Sequence, residues 1–172
     1  MKGLSSVKQQ RYLKLHPDEI IPSKYDYTVY IDGSLRITCD IKPLVYSLID
    51  SGKSIAIHDH YVRDCIYDEA QILYIVNKAN EDELKKQVIF YKKEGMPEHF
   101  GLLETPVIIR KSNDPELKGI MNAWWEQIER FTHRDQLSLP YVLWKSGKGM
   151  EYVFSLGDNV WRNPYFLYYV HN

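Results

Sequence analysis

The chain has 172 residues, 44% hydrophobic and 26% charged, as expected of one ordinary soluble domain with a substantial core. A formal charge of -1 excludes a global pull toward nucleic acid or an anionic membrane surface, and no stretch is apolar enough to span a bilayer. The N-terminus lacks the apolar centre of a signal peptide, and Cys39 and Cys65 are too few for a disulfide framework or a zinc ribbon, so reduced, buried thiols in a cytoplasmic protein are expected.

The first clear element is a strand. Tyr25-Asp26-Tyr27-Thr28-Val29-Tyr30-Ile31 runs into Asp32-Gly33-Ser34, and Thr28 to Ile31 are the β-branched and aromatic side chains that a packed pleated segment prefers. Asp32-Gly33 places a carboxylate at the strand's carboxyl end, where doubly wound sheets face their ligand crevice. A carboxylate there suits a divalent metal or a sugar hydroxyl, and Gly33 suits close approach of a phosphate or ribose. The same residues also read as an Asp-Gly hairpin with Leu35-Arg36-Ile37-Thr38 as the return strand. Pro43 to Ser51 is long enough for a short crossover helix. After the turn signal Ser51-Gly52-Lys53, a short apolar strand, Ser54-Ile55-Ala56-Ile57-His58, runs into Asp59-His60-Tyr61-Val62-Arg63. As parallel neighbours the two strands would bring Asp32, His58, His60 and Arg63 to one rim. His58 and His60 are two apart, so in extended backbone both point the same way; they suit metal chelation or structural hydrogen bonding.

Asp64 can cap a helix whose apolar face includes Ile66, Ala70 and Leu73, with Asp68 and Glu69 in its early turns, where the macrodipole favours acids. Glu81 to Glu94 is an amphipathic outer helix with Leu84, Val88 and Tyr91 inward, stopped by Gly95-Met96-Pro97. Val107-Ile108-Ile109-Arg110 is a strand. Pro115 opens a helix with Leu117, Ile120, Met121, Trp124, Ile128 and Phe131 on one stripe, which makes Trp124 and Trp125 core and flank more readily than a sugar platform. Thr132 and Asp135 have capping-box spacing. The segment Arg134-Asp135-Gln136-Leu137-Ser138 is equally dense in groups that bond sugar hydroxyls. The tail, Tyr165 to Val170, is a strand with His171 at its exit. With 14 Tyr and 4 Trp the chain is aromatic-rich, which suits stacking on sugar faces and also core filling.

Taken in order, Arg11 and Lys14, Tyr25-Asp26-Tyr27 to Ile31-Asp32-Gly33-Ser34, His60-Tyr61-Val62-Arg63-Asp64-Cys65-Ile66-Tyr67-Asp68-Glu69, Tyr91 with Glu94-Gly95-Met96-Pro97, Gly101-Leu102-Leu103-Glu104, Trp124-Trp125-Glu126 and Arg134-Asp135-Gln136-Leu137-Ser138 form a pattern over nearly the whole chain. It resembles the glycosyltransferase-like family whose plant members include the turgor-regulation-defect and mucilage-related proteins. The resemblance implies a GT-A type fold, a Rossmann-like mixed α/β sheet flanked by helices, forming a single domain over residues 1–172. It implies a nucleotide-diphosphate sugar donor, a glycan acceptor and a divalent metal, Mn or Mg.

Carried over by position, Asp32, Gly33 and Ser34 fall at the metal and donor motif, with Ser34 where a second acid is usual; Ser34 is a poorer ligand than a carboxylate. His171 would complete the metal shell. Arg11 and Lys14, one helical turn apart, would face donor phosphates together with Arg63. His60, Arg134 and Gln136 would complete the donor site, and Asp135 would be the catalytic base. The family domain normally opens with a βα unit, whereas this chain starts almost directly on the Arg11 helix, which fits a trimmed domain, a minimal member or one without nucleotide affinity. The expectation is a cytoplasmic glycosyltransferase, alone or beside a membrane-bound glycan assembly system. The competing readings are a non-catalytic carbohydrate- or partner-binding domain and a metal-dependent hydrolase centred on Asp32, His58 and His60.

Overall fold

Residues 3–169 are described by a computed structural model. Helix α1 (Ser6–Leu15) starts at Ser5, whose hydroxyl accepts the Lys8 N–H at 3.3 Å, and it buries Lys14 and Leu15 at its end. Strand β1 (Tyr27–Ile31) follows and stops at Asp32, where the Leu35 N–H closes a turn onto the Asp32 carbonyl at 2.9 Å. This turn is not a hairpin within one sheet: strand β2 (Leu35–Ile37) leaves β1 and pairs antiparallel with β6 (Phe166–Tyr168). The Asp-Gly turn thus steps the chain from one sheet to another.

Helix α2 (Lys42–Ser51) is the expected crossover, begun by Pro43 and ended by Gly52 at φ 69°. It delivers strand β3 (Ile55–Asp59), followed by helix α3 (Ile66–Ile75) and helix α4 (Glu81–Glu94). Asn80 caps α4 through the Glu83 N–H, and Gly95 at φ 89° ends it. Asp64 does not cap α3: its carboxylate bonds His99 Nδ1 at 2.7 Å, and Cys65 stands at the cap without a side-chain bond. Strand β4 (Leu103–Lys111) leads to helix α5 (Pro115–Arg130), capped by Asp114, and helix α6 (Asp135–Lys145). The α6 segment holds Pro140, which costs a helix interior about 3 kcal/mol. Burial of Leu137, Leu139, Val142 and Leu143, worth about 1.5–3 kcal/mol per side chain, outweighs it. Strand β5 (Phe154–Ser155) precedes the final β6.

The main sheet has the order β1-β4-β3-β5. Strands β1 and β3 do run the same way, but they are not neighbours: β4 lies between them, antiparallel to both, and β5 adds parallel to β3. With six α-helices around this mixed sheet the chain is a single-domain, Rossmann-like α/β fold. One face carries Ile55, Ile57 and Ile108 against α1 and α3 to α6, with Trp124 fully buried; the other carries Ala56, Val107 and Ile109 against Leu48 of α2 and Phe166. No helix among the described residues is long and apolar enough to cross a membrane.

Strand β4 contains the feature that builds the site. Ile57 pairs with Ile108, yet the next residue of β3, His58, pairs with Glu104, so Thr105, Pro106 and Val107 are extra on the β4 side. On its other edge the same stretch stays in register with β1, Ile31 opposite Val107, and the Pro106 carbonyl accepts the Asp32 N–H at 2.8 Å. Pro106 has no N–H to contribute to a ladder, and a slip is one of the few places a central strand tolerates it. The slip sets Glu104 and Asp32 at the same rim, where β1 and β3 both end.

Candidate functional site

Two clusters meet at that rim. The first is hung on α1. Lys14, wholly buried, reaches Asp135 Oδ2 at 2.5 Å, and Arg11 Nε lies 3.4 Å from the same oxygen. Asp135 is the first residue of α6, and the Trp124 indole N–H donates to its carbonyl at 3.0 Å, which fixes the helix start. Tyr30, at the end of β1, donates its hydroxyl to Asp32 Oδ1 at 2.5 Å, and Gln10 of α1 donates to the same oxygen at 3.1 Å and also to Tyr30 Oη. Lys14 Nζ stands 5.0 Å from the Tyr30 ring centre. Burial pushes the Asp135 carboxyl up, but Lys14, Arg11 and Arg134 together outweigh it and hold the group at about 2. Burial lowers the Lys14 ammonium, opposed by Asp135 and Asp32. Asp135 is therefore ionised at neutral pH. Burial and the bond to Asp32 raise the Tyr30 phenol, which stays a donor.

The second cluster joins the β3–α3 loop to β4. Arg63 grips Glu69 Oε2 with Nε and Nη2, each at 2.7 Å. His60 Nδ1 accepts the backbone N–H groups of Val62 and Arg63 at 3.2 and 3.0 Å, and Arg63 Nη2 lies 3.2 Å from Nε2. That nitrogen faces Glu104 Oε1 at 3.4 Å and Glu69 Oε2 at 3.8 Å. Burial and the Arg63 charge lower the imidazole, keeping it neutral. Gln136 donates to Glu104 Oε2 at 2.9 Å. Burial pushes Glu104 up and Glu69 adds to this, while the Trp161 hydrogen bond, Arg63 and Arg134 pull it down; the net direction is up. Arg134 acts on both Asp135 and Glu104, so the clusters share one field. It balances four cations, Arg11, Lys14, Arg63 and Arg134, against four carboxylates, Asp32, Asp135, Glu69 and Glu104.

The fold thus brings Arg11, Lys14, Asp32 and Asp135 together in one cluster and His60, Arg63 and Gln136 in the other, with Arg134 between. Gly33 and Ser34 occupy the turn beside Asp32, and the Tyr169 N–H donates to the Ser34 carbonyl at 2.7 Å. His171 lies outside the described residues. His58 stays out of the cluster: its Nδ1 contacts the Gly157 carbonyl at 3.1 Å and its ring meets Phe166 edge-on. Among the described residues Asp32, His58 and His60 do not converge as metal ligands; the group of three that does is Cys65, Asp68 and His99. Thr132 and Asp135 make no capping box, because Asp135 turns to Lys14 while Thr132 accepts the Arg134 N–H and donates to buried Gln87. Gln10 and Tyr30 carry no local signal for a site, and Glu69 and Glu104, though part of the family pattern, are joined to it only by the paired charges and the strand slip.

The TOD1/MUCI70, glycosyltransferase-like domain matches residues 12–171. The chain belongs to that family. Within it, a protein of Arabidopsis thaliana described as "Probable hexosyltransferase MUCI70" is 26% identical over 125 residues, covering 67% of this chain. The chain in turn spans 21% of that protein's length. No solved structure matches it significantly. For this TOD1/MUCI70 domain the family gives a glycosyltransferase-like role in general, and the rim of β1 and β3 is where its sequence pattern and its charge network coincide.

Proposed function

We propose that this domain transfers a hexosyl group from a nucleotide-diphosphate sugar to a glycan hydroxyl, with Glu104 as the general base. The observation that carries the reading is Glu104 itself: a buried carboxylate with a raised proton affinity, held by Gln136 and the neutral His60, at the same rim as the Asp32 turn. In the step proposed, the acceptor hydroxyl gives its proton to Glu104 as its oxygen bonds the anomeric carbon. The bond from that carbon to the donor phosphate breaks, and the diphosphate leaves with the electron pair. Arg11 and Arg63, 12% and 26% exposed, offer guanidinium edges to the leaving group, assisted by Arg134. Lys14 is too deeply enclosed to meet a phosphate here. With Asp135 it fixes α1 against α6, and a carboxyl held near 2 is a weak base beside Glu104.

Asp32, Ser34 and His171 are the residues proposed to hold Mn or Mg. The oxygen donors of Asp32 and Ser34 suit a hard cation. When bound, such an ion would neutralise charge on the departing diphosphate. The setting proposed is the cytoplasmic side of a polysaccharide-building system.

Two measurements test this. Ligand-detected NMR with uridine- and guanosine-diphosphate sugars, with and without manganese, should show donor binding that Asp32→Ala weakens chiefly in its manganese-dependent part. Glu104→Gln should keep donor binding and lose about a hundredfold to ten-thousandfold in transfer. A protein that binds no nucleotide sugar under either condition sinks the reading; one in which Glu104→Gln transfers like the parent loses its base.

A further inference from the structure

A cavity of about 330 Å³ opens at the other end of the sheet, where β4 finishes and β1 begins. Its walls come from the end of α1, the 3₁₀ turn Pro17–Glu19, the 21–23 loop and the start of α5. Leu15, Pro17, Ile21, Pro22, Leu117 and Met121 make most of it apolar.

Against that apolar wall lies Arg110, 3% exposed. Its Nε donates to Thr28 Oγ1 at 3.1 Å and its Nη1 to the Lys14 carbonyl at 2.6 Å, both neutral acceptors. Among the described residues no carboxylate pairs with it. Burial lowers the guanidinium to about 10, still charged at neutral pH. The nearby acids are engaged elsewhere: Asp18 with Lys118, and Asp114 with the Leu117 N–H and the Ser54 hydroxyl. A second group on the same wall, Ser112 Oγ, is buried without any hydrogen-bond partner. A buried cation that only the more distant charge of Asp18 offsets, with no ion pair of its own, and an orphaned hydroxyl are each costly, and both are relieved by one acceptor-bearing anion.

We infer that this cavity binds a small organic monoanion, a carboxylate on an apolar body, with the carboxylate on Arg110 and Ser112 and the body against Leu117 and Met121. A guanidinium presents a fork that matches a carboxylate, and the cavity size falls in the range of small-ligand sites. The site is separate from the rim that carries Asp32 and Glu104, and its test does not depend on transferase activity.

Sodium hexanoate and sodium benzoate are the probes, titrated into the whole chain by ligand-detected NMR, with 1-hexanol and inorganic phosphate as controls for charge and for the apolar body. Both carboxylates should bind saturably, and neither control should compete. Asn122→Trp, an exposed position on the cavity wall, should block binding in a protein with unchanged melting behaviour. Ser112→Ala should weaken it by roughly tenfold or less, the worth of one hydrogen bond, and Arg110→Gln should abolish it. Should Arg110→Gln fail to fold, Asn122→Trp and Ser112→Ala still decide. Absence of carboxylate binding, binding untouched by Asn122→Trp, or equal binding of hexanol overturns the proposal. Competition by phosphate overturns the requirement for an apolar body.

Discussion

The two clusters at the rim use their charges in opposite ways. Around Asp135, cations are stacked against one carboxylate until it binds protons poorly; around Glu104, burial and a neighbouring acid leave a carboxylate that binds them well. The difference lies in what surrounds each group. Asp135 has Lys14 at 2.5 Å and Arg11 at 3.4 Å, whereas Glu104 is touched by Gln136 and by a His60 that burial and the Arg63 charge keep neutral. The first arrangement fixes position, and the second suits proton transfer.

Breaking the first cluster should have the largest effect. Lys14→Ala leaves Asp135 buried without its closest partner, so urea denaturation should show a loss of about 3–5 kcal/mol. The double replacement Lys14→Met with Asp135→Leu should recover most of that. If Lys14→Ala unfolds at the parent's midpoint, the pair does not stabilise the fold.

Acid titration sharpens the comparison further, because the two carboxylates carry opposite signs. Asp135 titrates lower in the folded chain than in the unfolded one, so its contribution is present above about pH 4 and is lost as pH falls toward 2, an effect of about 2 kcal/mol. Glu104 titrates higher when folded, so its contribution is present below the ordinary glutamate range and is lost as pH rises through the raised value. Stability measured between pH 5 and pH 2 should therefore fall less steeply in Asp135→Asn than in the parent, and Glu104→Gln should gain relative stability toward neutral pH. Parallel curves for all three proteins would contradict the assigned directions.

The smallest effect expected is on the acid limb of the pH–rate profile. Arg63 pulls the Glu104 proton affinity down and Glu69 pushes it up. Arg63→Met should move the limb to higher pH and Glu69→Gln to lower pH, each by up to about one unit, or about 1.4 kcal/mol. Shifts of the same sign in both variants would place the titrating group elsewhere.

Local pattern made much of this architecture readable. The helix at Glu81–Glu94 was legible from its caps, the α5 stripe from its period, and the turn at Asp32 from the strand that stops there. What was not legible depends on contacts between distant residues. Lys14 and Asp135 are 121 positions apart, and nothing local to either announces the other. Pro106 hid the first half of β4, since proline argues against a central strand and only the slip accommodates it. With that half unread, β1 and β3 read as neighbours, and Glu104 fell in the lead-in to the strand. The acids read as caps, Asp64 and Asp135, turned to His99 and Lys14 instead, because a charged partner competes well with a backbone N–H.

The three additional residues in β4 also act as a length gauge. Were Thr105-Pro106-Val107 paired in an unbroken ladder, Val107 would stand opposite His58 and Glu104 opposite Tyr61, about 10 Å farther along β3. The carboxylate would then lose both His60 and Gln136. Because the Pro106 carbonyl also anchors the Asp32 turn, a single stretch of strand sets the spacing between Asp32 and Glu104, and substitutions that tighten it would move the two carboxylates relative to each other while leaving every charged residue in place.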